Sequence, residues 1–206
     1  KYGRQGWWPL FNQNSMKFEY HSGDYILPKT NEQSFEICLG AILTQNTAWK
    51  NVEKALLNLI EAGMLEPRKI LSADISKLAE YIKPSGYYNQ KAKKLKAFSE
   101  FFLSGFRNLS SMETKEARKK LLDVHGVGKE TADSILLYAL NKPVFVVDAY
   151  TKRLFSSRGF SFKGYDGWQN FFHENLPLDP ELFNEFHALI VACGKEFARA
   201  RNSKLY

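Results

Sequence analysis

Asp148 has the residue type and the setting of a group that could take part in chemistry. It comes directly after the apolar segment Val144–Val147 and directly before a stretch in which apolar residues have helical spacing. Asp is a favoured helix N-cap, and a carboxylate that caps a helix stays ionised and well oriented. Such a group can stabilise positive charge that develops in a reaction and can take a proton from an attacking water. Residue type alone leaves both roles open.

The segment Gly126-Val127-Gly128 predicts a tight turn between two helices. Glycines at 126 and 128 permit a positive φ and a close approach of the backbone to another group, while Val127 can place its side chain between the helices. The turn exposes amide N–H groups at the start of the next helix, where the helix dipole also favours an anion such as a phosphate. An ordinary helical hairpin would also show a bare Gly-x-Gly. The helix-starting residues 129–132 and the nearby Asp148 favour the anion-binding interpretation.

The elements that must position these residues are predicted to be helices almost throughout the chain. Apolar residues recur at helical spacing in a series of stretches. These stretches are residues 32–46, 52–62, 67–71, 75–82, 89–102, 115–124, 130–140, 148–157, 167–175 and 180–199. The β-branched run 144–147 is too isolated to build a sheet and is predicted to be a buried connector. The first 30 residues are predicted to be irregular.

Composition favours a polyanionic partner and argues against a protein that spans a membrane. The 206 residues suffice for one domain or two small ones sharing a core, and 44% of them are hydrophobic. The formal net charge of +7 favours nucleic acid first, and acidic membrane surfaces second, as a partner. No apolar run approaches the roughly 20 residues that a membrane span needs. Cys38 and Cys193 are far apart in the sequence and are predicted to be reduced.

Several segments together resemble the endonuclease III-like DNA glycosylases, a superfamily with a helix-hairpin-helix motif. Leu122–Ala132 is similar to their hairpin, and Val146-Val147-Asp148 is similar to the segment with their catalytic aspartate. Further similar segments are Leu39–Thr47, Gly86–Ala92 and Phe186–Val191, so that the resemblance extends over about residues 35–195. Within the superfamily, Trp7-Trp8-Pro9 and Pro84–Lys91 most resemble the 3-methyladenine DNA glycosylases.

The resemblance implies an all-α fold of two helical lobes with a DNA-binding cleft between them. Residues 27–142 would form the lobe that contains the helix-hairpin-helix, and residues 1–26 with 143–206 would form the second lobe, which carries the catalytic Asp. In this family the carboxylate acts while an N-glycosidic bond breaks and positive charge develops on the sugar. Asp148 is therefore predicted to be the catalytic residue.

The residue at position 130 indicates whether a lysine or water is the nucleophile. Members of the superfamily that also cleave the DNA strand carry a lysine there, which forms a Schiff base with the sugar. This sequence has Glu130, so the resemblance implies an enzyme that uses water. Lys129 is one residue away, which turns it by about 100° on a helix, and it is predicted to contact phosphate or solvent.

The resemblance also assigns residues to DNA and to the damaged base. Extruding a base from the stack costs a few kcal/mol, and Gln45 and Tyr87 match the positions that fill the gap. The predicted DNA contacts are Gln45, Tyr87, Lys91, Gly126, Val127, Gly128, Lys129 and Thr131. The predicted base pocket consists of Trp7, Trp8, Pro9, Phe35 and Trp49, whose aromatic faces suit a cationic base. Structural roles remain open: a polar cap for Gln45, a packed surface aromatic for Tyr87, and core packing for the tryptophans.

No cofactor is predicted to be required. Many relatives hold an iron–sulfur cluster on four cysteines, and the two cysteines of this sequence are too few for one. His125 and His187 are interpreted as structural. The resemblance implies that carbonyl groups of the hairpin can hold a monovalent cation, K⁺ or Na⁺. Here these would be the carbonyls of Leu122, Val124 and Val127.

The sequence thus predicts a monofunctional DNA glycosylase for alkylated purines, with 3-methyladenine favoured, acting as a monomer on damaged double-stranded DNA. A cytoplasmic, nucleoid-associated enzyme of prokaryotic type is expected. One alternative keeps the fold and changes the base to uracil, mismatched thymine or an oxidised pyrimidine, with AP-lyase activity. Another is a non-catalytic helix-hairpin-helix module, which would have no need of Asp148, and a helical protein-interaction domain is a third.

Overall fold

The computed structural model describes residues 1–202 of the chain, with side chains through Phe197. Helices dominate it, which confirms the all-α prediction. The α-helices are α1 (Asn31–Leu43), α2 (Trp49–Glu61), α3 (Pro67–Ser72), α4 (Ile75–Tyr81), α5 (Tyr88–Ser104), α6 (Thr114–Leu122), α7 (Lys129–Ser134), α8 (Ala149–Ser156), α9 (Gly164–Asn175) and α10 (Pro180–Asn202). Over these residues, no helix is both long enough and apolar enough to cross a membrane. The predicted division into two lobes stays a prediction.

Helix α1 lies in the core and is buried from Phe35 to Leu43. A helix that is apolar on all sides predicts burial but does not indicate which side chains lie near a cleft. The side chain of Phe35 is 1% exposed, and its ring centroid lies 4.8 Å from that of Phe102 on α5. The prediction that Phe35 lines the base pocket is therefore wrong, because this ring packs inward against α5.

Helices α6 and α7 and the turn between them form the predicted helix-hairpin-helix. Val127 is 7% exposed, as expected for a side chain placed between the helices. Gly126 has a φ of +84°, a conformation that favours glycine, and a Cβ atom there would lie 2.3 Å from Cγ of the Lys94 side chain, which would have to move. Gly128 has a φ of −91°, so it does not adopt the positive φ that glycine permits. A Cβ atom at Gly128 would meet nothing within 4 Å, which leaves this backbone open to another molecule.

Helix α7 continues into a buried π turn, Ile135–Ala139, where the sequence predicted one regular helix. Such turns are frequent at functional sites. The turn carries Tyr138, whose side chain is 2% exposed. It therefore places a phenol in the interior beside the segment that leads to Asp148.

The connector Val144–Val147 is buried and forms no strand, as predicted. Gln169 on α9 donates hydrogen bonds to the carbonyl of Phe145 at 2.7 Å and to Oδ2 of Asp133 at 2.8 Å. Arg118 on α6 donates to both carboxylate oxygens of Asp133, from Nε at 2.6 Å and from Nη2 at 3.0 Å. These bonds join α6, α7 and α9 to the connector and so determine where α8 begins.

A short antiparallel β-hairpin lies in the region that was predicted to be irregular. Its strands are β1 (Leu10–Asn12) and β2 (Lys17–Glu19), with Phe11 opposite Phe18. Three residues per strand are too few for an alternating pattern to be recognised. Glu36 on α1 accepts a hydrogen bond from the amide of Phe11 at 2.7 Å and so anchors β1 on the helix.

Glu36→Gln is expected to stabilise the protein above pH 7. Burial raises the pKa of Glu36 from 4.5 to about 7, although the Phe11 amide acts to lower it. Between these pH values the folded protein holds a proton that the unfolded chain has lost, so the stability of the parent falls as pH rises. One pKa unit corresponds to about 1.4 kcal/mol, which makes the full difference about 3 kcal/mol. Urea unfolding at pH 4.5 and pH 8 measures it.

The gain of the Glu36→Gln variant over the parent should be large at pH 8 and should shrink at pH 4.5. Glu61→Gln, on an exposed residue at the end of α2, is the matched control and should change little at either pH. A gain of the same size at both pH values would show that protonation of Glu36 is not its cause.

Candidate active site

An open pocket of about 530 Å³ lies where the N-terminal tryptophans, the α1–α2 loop, α7, α8 and α10 meet. Asp148, Glu130 and His187 all contribute to its wall. The other lining residues are Trp7, Trp8, Pro9, Tyr20, Thr44, Asn46, Thr47, Ala48, Trp49, Ser134, Val146, Ala149, Tyr150, Arg153, Val191 and Lys195. A second, more open depression of about 610 Å³ at the start of α1 has Glu32 as its carboxylate, without a histidine beside it. The pocket around Asp148 is therefore the candidate site.

Asp148 caps α8 and is held through one of its oxygens. Oδ1 accepts hydrogen bonds from the amide of Thr151 at 2.7 Å and from its hydroxyl at 2.9 Å. Oδ2 lies 3.7 Å from Nε2 of His187. Burial favours the protonated acid, but the contacts with His187 and Thr151 outweigh it and hold the pKa of Asp148 below its usual value. Asp148 is thus a helix cap and an ionised group of the pocket at once.

Glu130 is the second carboxyl group of the pocket. It lies in the first turn of α7, and its side chain keeps access to solvent. Partial desolvation in the cleft, and then the negative charge of Asp148, raise the pKa of Glu130, whereas His187 and Lys152 act to lower it. The pKa values of the two acids are therefore displaced in opposite directions, which allows the two groups different roles in one reaction.

Aromatic rings also line this pocket. Trp7, Trp8, Pro9 and Trp49 line the pocket, where the sequence predicted them. The ring of Trp8 packs edge to face on Trp49, with centroids 5.2 Å apart. Asn184 on α10 donates a hydrogen bond to the carbonyl of Trp7 at 2.7 Å and so fixes the N-terminal segment. That a base binds between these rings stays a prediction.

Gln45 is bound to the hairpin. Its Nε2 donates to the carbonyl of Gly126 at 3.0 Å and to Oγ1 of Thr131 at 2.9 Å, while its Oε1 accepts from Nζ of Lys94 at 2.6 Å. Thr131 is 6% exposed, so the prediction that it contacts DNA is wrong; its hydroxyl faces inward and orients Gln45. The insertion of Gln45 into DNA stays a prediction, and it requires these bonds to break. The adjacent Asn46, which the sequence reasoning passed over, is exposed and lines the pocket.

Tyr87 is an exposed aromatic residue on a strained turn. Its side chain is 68% exposed, and its φ of 47° lies in the left-handed region that non-glycine residues rarely adopt. Backbone strain of this kind is often found at binding sites. The geometry agrees with the predicted role of Tyr87 as a wedge in DNA, which stays a prediction.

Lys91 is not the DNA contact that the resemblance implied. It is 2% exposed, and its Nζ donates to the carbonyls of Leu43 and Ser85, each at 2.7 Å. Burial, and then the nearby Lys94, lower the pKa of Lys91 to about 8. The carbonyls at the end of a helix lack partners within it. Lys91 supplies a hydrogen-bond donor for the last carbonyls of α1. It thereby connects the loop that contains Gln45 to the turn before Tyr87.

Lys91→Met is expected to lower the free energy of unfolding by about 2 kcal/mol, because buried carbonyls lose their donor. The dependence of DNA affinity on salt should not change, because a buried lysine releases no counterion from DNA. Denaturant unfolding and binding titrations at several salt concentrations measure the two effects. Lys93→Met, at an exposed neighbour, is the matched control for loss of charge. A salt slope reduced by about 1 in Lys91→Met alone would restore the original interpretation.

The hairpin presents amide groups to an anion. Among the described residues, neither Gly126 nor Gly128 uses its N–H in an internal hydrogen bond, whereas the Val127 amide donates to the Val124 carbonyl at 3.0 Å. The side chain of Lys129 forms an ion pair with Asp166, and its contact with phosphate stays a prediction.

The carbonyls of Leu122, Val124 and Val127 lie in the hairpin, as a monovalent cation there would require. The Val124 carbonyl keeps a second lone pair beside its bond to the Val127 amide. Carbonyl oxygens are suitable ligands for such an ion. That the ion binds here stays a prediction. Across residues 1–202, no three His, Cys, Asp or Glu side chains are grouped as a metal ion would need. Cys38 and Cys193 are free, as predicted.

Several pocket residues escaped the sequence reasoning. His187 was interpreted as structural, and Tyr20, Tyr150, Arg153 and Lys195 were not considered. His187 reaches Asp148 because α10 packs on α8, a contact between distant parts of the chain. The one available signal was that His187 lies in the segment Phe186–Val191, which resembles the family.

Comparison with known proteins agrees with this geometry. Residues 39–170 match the model of the HhH-GPD superfamily of base excision DNA repair proteins. The chain is 45% identical to the protein named "Putative DNA repair glycosylase MJ1434" of Methanocaldococcus jannaschii, over 97% of this chain and 84% of that protein. It is 29% identical to endonuclease III of Sulfolobus acidocaldarius, over 86% of this chain and 79% of that one.

A solved structure is also similar. The 3-methyladenine DNA glycosylase of H. pylori bound to 1,N6-ethenoadenine superposes with a TM-score of 0.71 and 37% identity, over 82% of this chain and 90% of that one. The family model covers more than half of the chain and includes both the hairpin and Asp148. The chain is therefore a member of the HhH-GPD superfamily of base excision DNA repair proteins, an α-helical family of DNA glycosylases.

Proposed function

We propose that this protein hydrolyses the N-glycosidic bond of alkylated purines, 3-methyladenine foremost, in duplex DNA and leaves the strand intact. The observation that carries the proposal is a pocket in which aromatic rings and two carboxyl groups face the same space. Alkylation at a ring nitrogen gives a purine delocalised positive charge. Aromatic faces attract such a charge, and a nearby ionised carboxylate stabilises it further.

The state of Asp148 suits the chemical step. When the bond between C1′ and the base breaks, its electron pair leaves with the base and positive charge develops on the sugar. The ionised carboxylate stabilises that charge. The oxygen of a water then bonds to C1′, and Asp148 accepts the proton that the water gives up. A cationic base leaves as a neutral molecule, so it needs little help from an acid.

The residues around Asp148 support water rather than an amine as the nucleophile. Glu130 occupies the position where strand-cleaving relatives carry a lysine, and Lys129 is paired with Asp166. Lys195 contributes an amine to the described wall of the pocket, so it is the residue to examine for covalent trapping. The name and bound base of the H. pylori relative, a 3-methyladenine glycosylase with an ethenoadenine, favour a purine pocket here as well.

A panel of defined duplexes tests this proposal. Each duplex carries 3-methyladenine, 1,N6-ethenoadenine, uracil, thymine opposite guanine or an oxidised pyrimidine, and the released base is measured under single turnover with and without borohydride. We expect fastest release of 3-methyladenine and no trapped adduct. Faster release of uracil, thymine or an oxidised pyrimidine would replace the proposed substrate. An adduct would establish lyase activity, and DNA binding without release of any base would favour the non-catalytic module.

The free amides of the hairpin and the net charge of +7 support double-stranded DNA as the partner. We propose that the protein acts on it as a monomer, at the nucleoid of a prokaryotic-type cell. Light scattering of the protein alone and bound to a short damaged duplex measures the number of copies per DNA.

A further inference from the structure

Behind Asp148, a chain of polar groups leads from the pocket into the interior. His187 on α10 is 4% exposed, and its Nδ1 lies 2.5 Å from the hydroxyl of Tyr138 on the π turn. Its Nε2 lies 3.7 Å from Oδ2 of Asp148 and has no other polar partner in the described part of the chain. In this chain of groups, Asp148 is the base, His187 is next to it, and Tyr138 contacts His187 from the other side.

The hydrogen-bonding capacity of these groups determines where the protons lie. If the Tyr138 hydroxyl donates to Nδ1, then Nε2 carries the imidazole proton and points it at the Asp148 carboxylate. With the proton on Nδ1 instead, the buried hydroxyl would lose its acceptor and the lone pair of Nε2 would face a negative oxygen. Both changes are unfavourable in a buried site. Of the two neutral tautomers, the geometry therefore favours the first.

The ring of His187 is enclosed by aromatic side chains. Trp7 packs edge to face against it with centroids 5.7 Å apart, and Phe145 lies on another side at 6.5 Å. Because these rings exclude water, the contact with Asp148 acts in a medium of low dielectric constant. Trp7 also lines the base pocket, so the base and His187 would share this indole.

We propose that His187 is a positioning residue that keeps Asp148 ionised and oriented, and that Tyr138 sets the tautomer of His187. This inference rests on the proposed hydrolytic function. Thr151 holds Oδ1, and the Nε2 atom of His187 lies beside Oδ2. A separation of 3.7 Å is longer than a direct hydrogen bond. Catalytic hydrogen bonds are often long in the free enzyme and shorten when substrate binds.

Other charged groups surround Tyr138, His187 and Asp148, and they must be considered in any pH profile. Glu130 on α7 and Glu185 on α10 bring negative charge toward Asp148, His187 or Tyr138. Lys152 on α8, with Arg153 and Lys195 in the pocket wall, brings positive charge. None of these groups donates a hydrogen bond to Oδ2 of Asp148 among the described residues, so the imidazole is the near partner of that oxygen.

Single-turnover excision measured from pH 4 to pH 9 tests the inference. The variants are His187→Gln, which keeps an N–H donor, and His187→Leu, which has none. A third variant, Tyr138→Phe, removes the hydroxyl that sets the tautomer of His187. We expect the acid limb of the rate profile to move to higher pH by about one unit in His187→Leu and Tyr138→Phe, and by less in His187→Gln. In the Asp148→Asn background the same changes should cause no further loss.

A purely structural role predicts a different pattern. Each variant would then lose rate by the same factor at every pH and in both backgrounds, which would overturn the inference. Tyr138→Phe removes one oxygen atom and decides the question should His187→Leu fail to fold. The ¹³Cγ titration of Asp148 is read without DNA. A titration unchanged between the parent and Tyr138→Phe overturns the inference, whereas a parent that releases no alkylated base overturns the proposed function alone.

Discussion

Asp148→Asn is expected to lower the single-turnover rate of base release by about 10²–10³-fold, the range found when one charge-stabilising group is removed from an active site. The asparagine keeps an oxygen that can accept from the amide and the hydroxyl of Thr151, so the cap of α8 remains. What disappears is the negative charge beside the sugar and the base that takes a proton from water. Thermal unfolding and DNA affinity should therefore stay close to those of the parent.

A second capping aspartate provides the matched control for this variant. Asp179 accepts a hydrogen bond from the amide of Glu181 at the start of α10, and it lies at the surface away from the pocket wall. Asp179→Asn removes the same charge from the same kind of cap and should leave excision unchanged. Equal rates for Asp148→Asn and the parent would mean that Asp148 only caps its helix.

Arg118→Met is expected to lower the free energy of unfolding by about 3 kcal/mol, as for other buried pairs that lose one partner. Asp133 is fully buried, and Arg118 donates to both of its oxygens. Without the guanidinium, the Asp133 carboxylate keeps Gln169 as its remaining donor in the described structure. The charge would then be left in a medium that solvates it poorly. Urea unfolding of the variant at neutral pH gives the value directly.

Two further variants identify the source of this loss. Lys119→Met changes an exposed cation on the same helix and should alter stability by less than about 0.5 kcal/mol. Asp133→Asn in the Arg118→Met background removes the unpaired charge and should restore part of the loss. A double variant that is as unstable as the sum of the two single changes would show that packing, and not the buried charge, is responsible.

Local patterns predicted much of the fold. The turn at Gly126–Gly128, the buried connector 144–147 and the helix that follows Asp148 all depend on short-range residue preferences. The β-hairpin was missed because its strands have three residues each, and it depends on α1 through Glu36. The π turn at Ile135–Ala139 was missed because an apolar run shows no period that separates it from an α-helix.

The site was predicted less completely, because burial and long-range contacts decide it. Lys91 stands among other lysines, and nothing local distinguishes the one that points inward to the carbonyl of Leu43. Phe35 lies on α1, which is buried along most of its length, and Thr131 lies on α7, whose buried residues are mostly polar. Hydrophobic periodicity therefore could not tell cleft from core at either position. His187 meets Asp148 only through the packing of α10 on α8, which no local pattern encodes.

In the proposed reaction, water activated beside Asp148 replaces an alkylated purine in this pocket. The most direct measurement is release of free 3-methyladenine from a methylated duplex, with the DNA examined on a denaturing gel before and after alkali. We expect that the base is released and that the strand breaks only after alkali, as a monofunctional hydrolytic mechanism requires. Strand breakage before alkali, or no release of 3-methyladenine by folded protein, would contradict it.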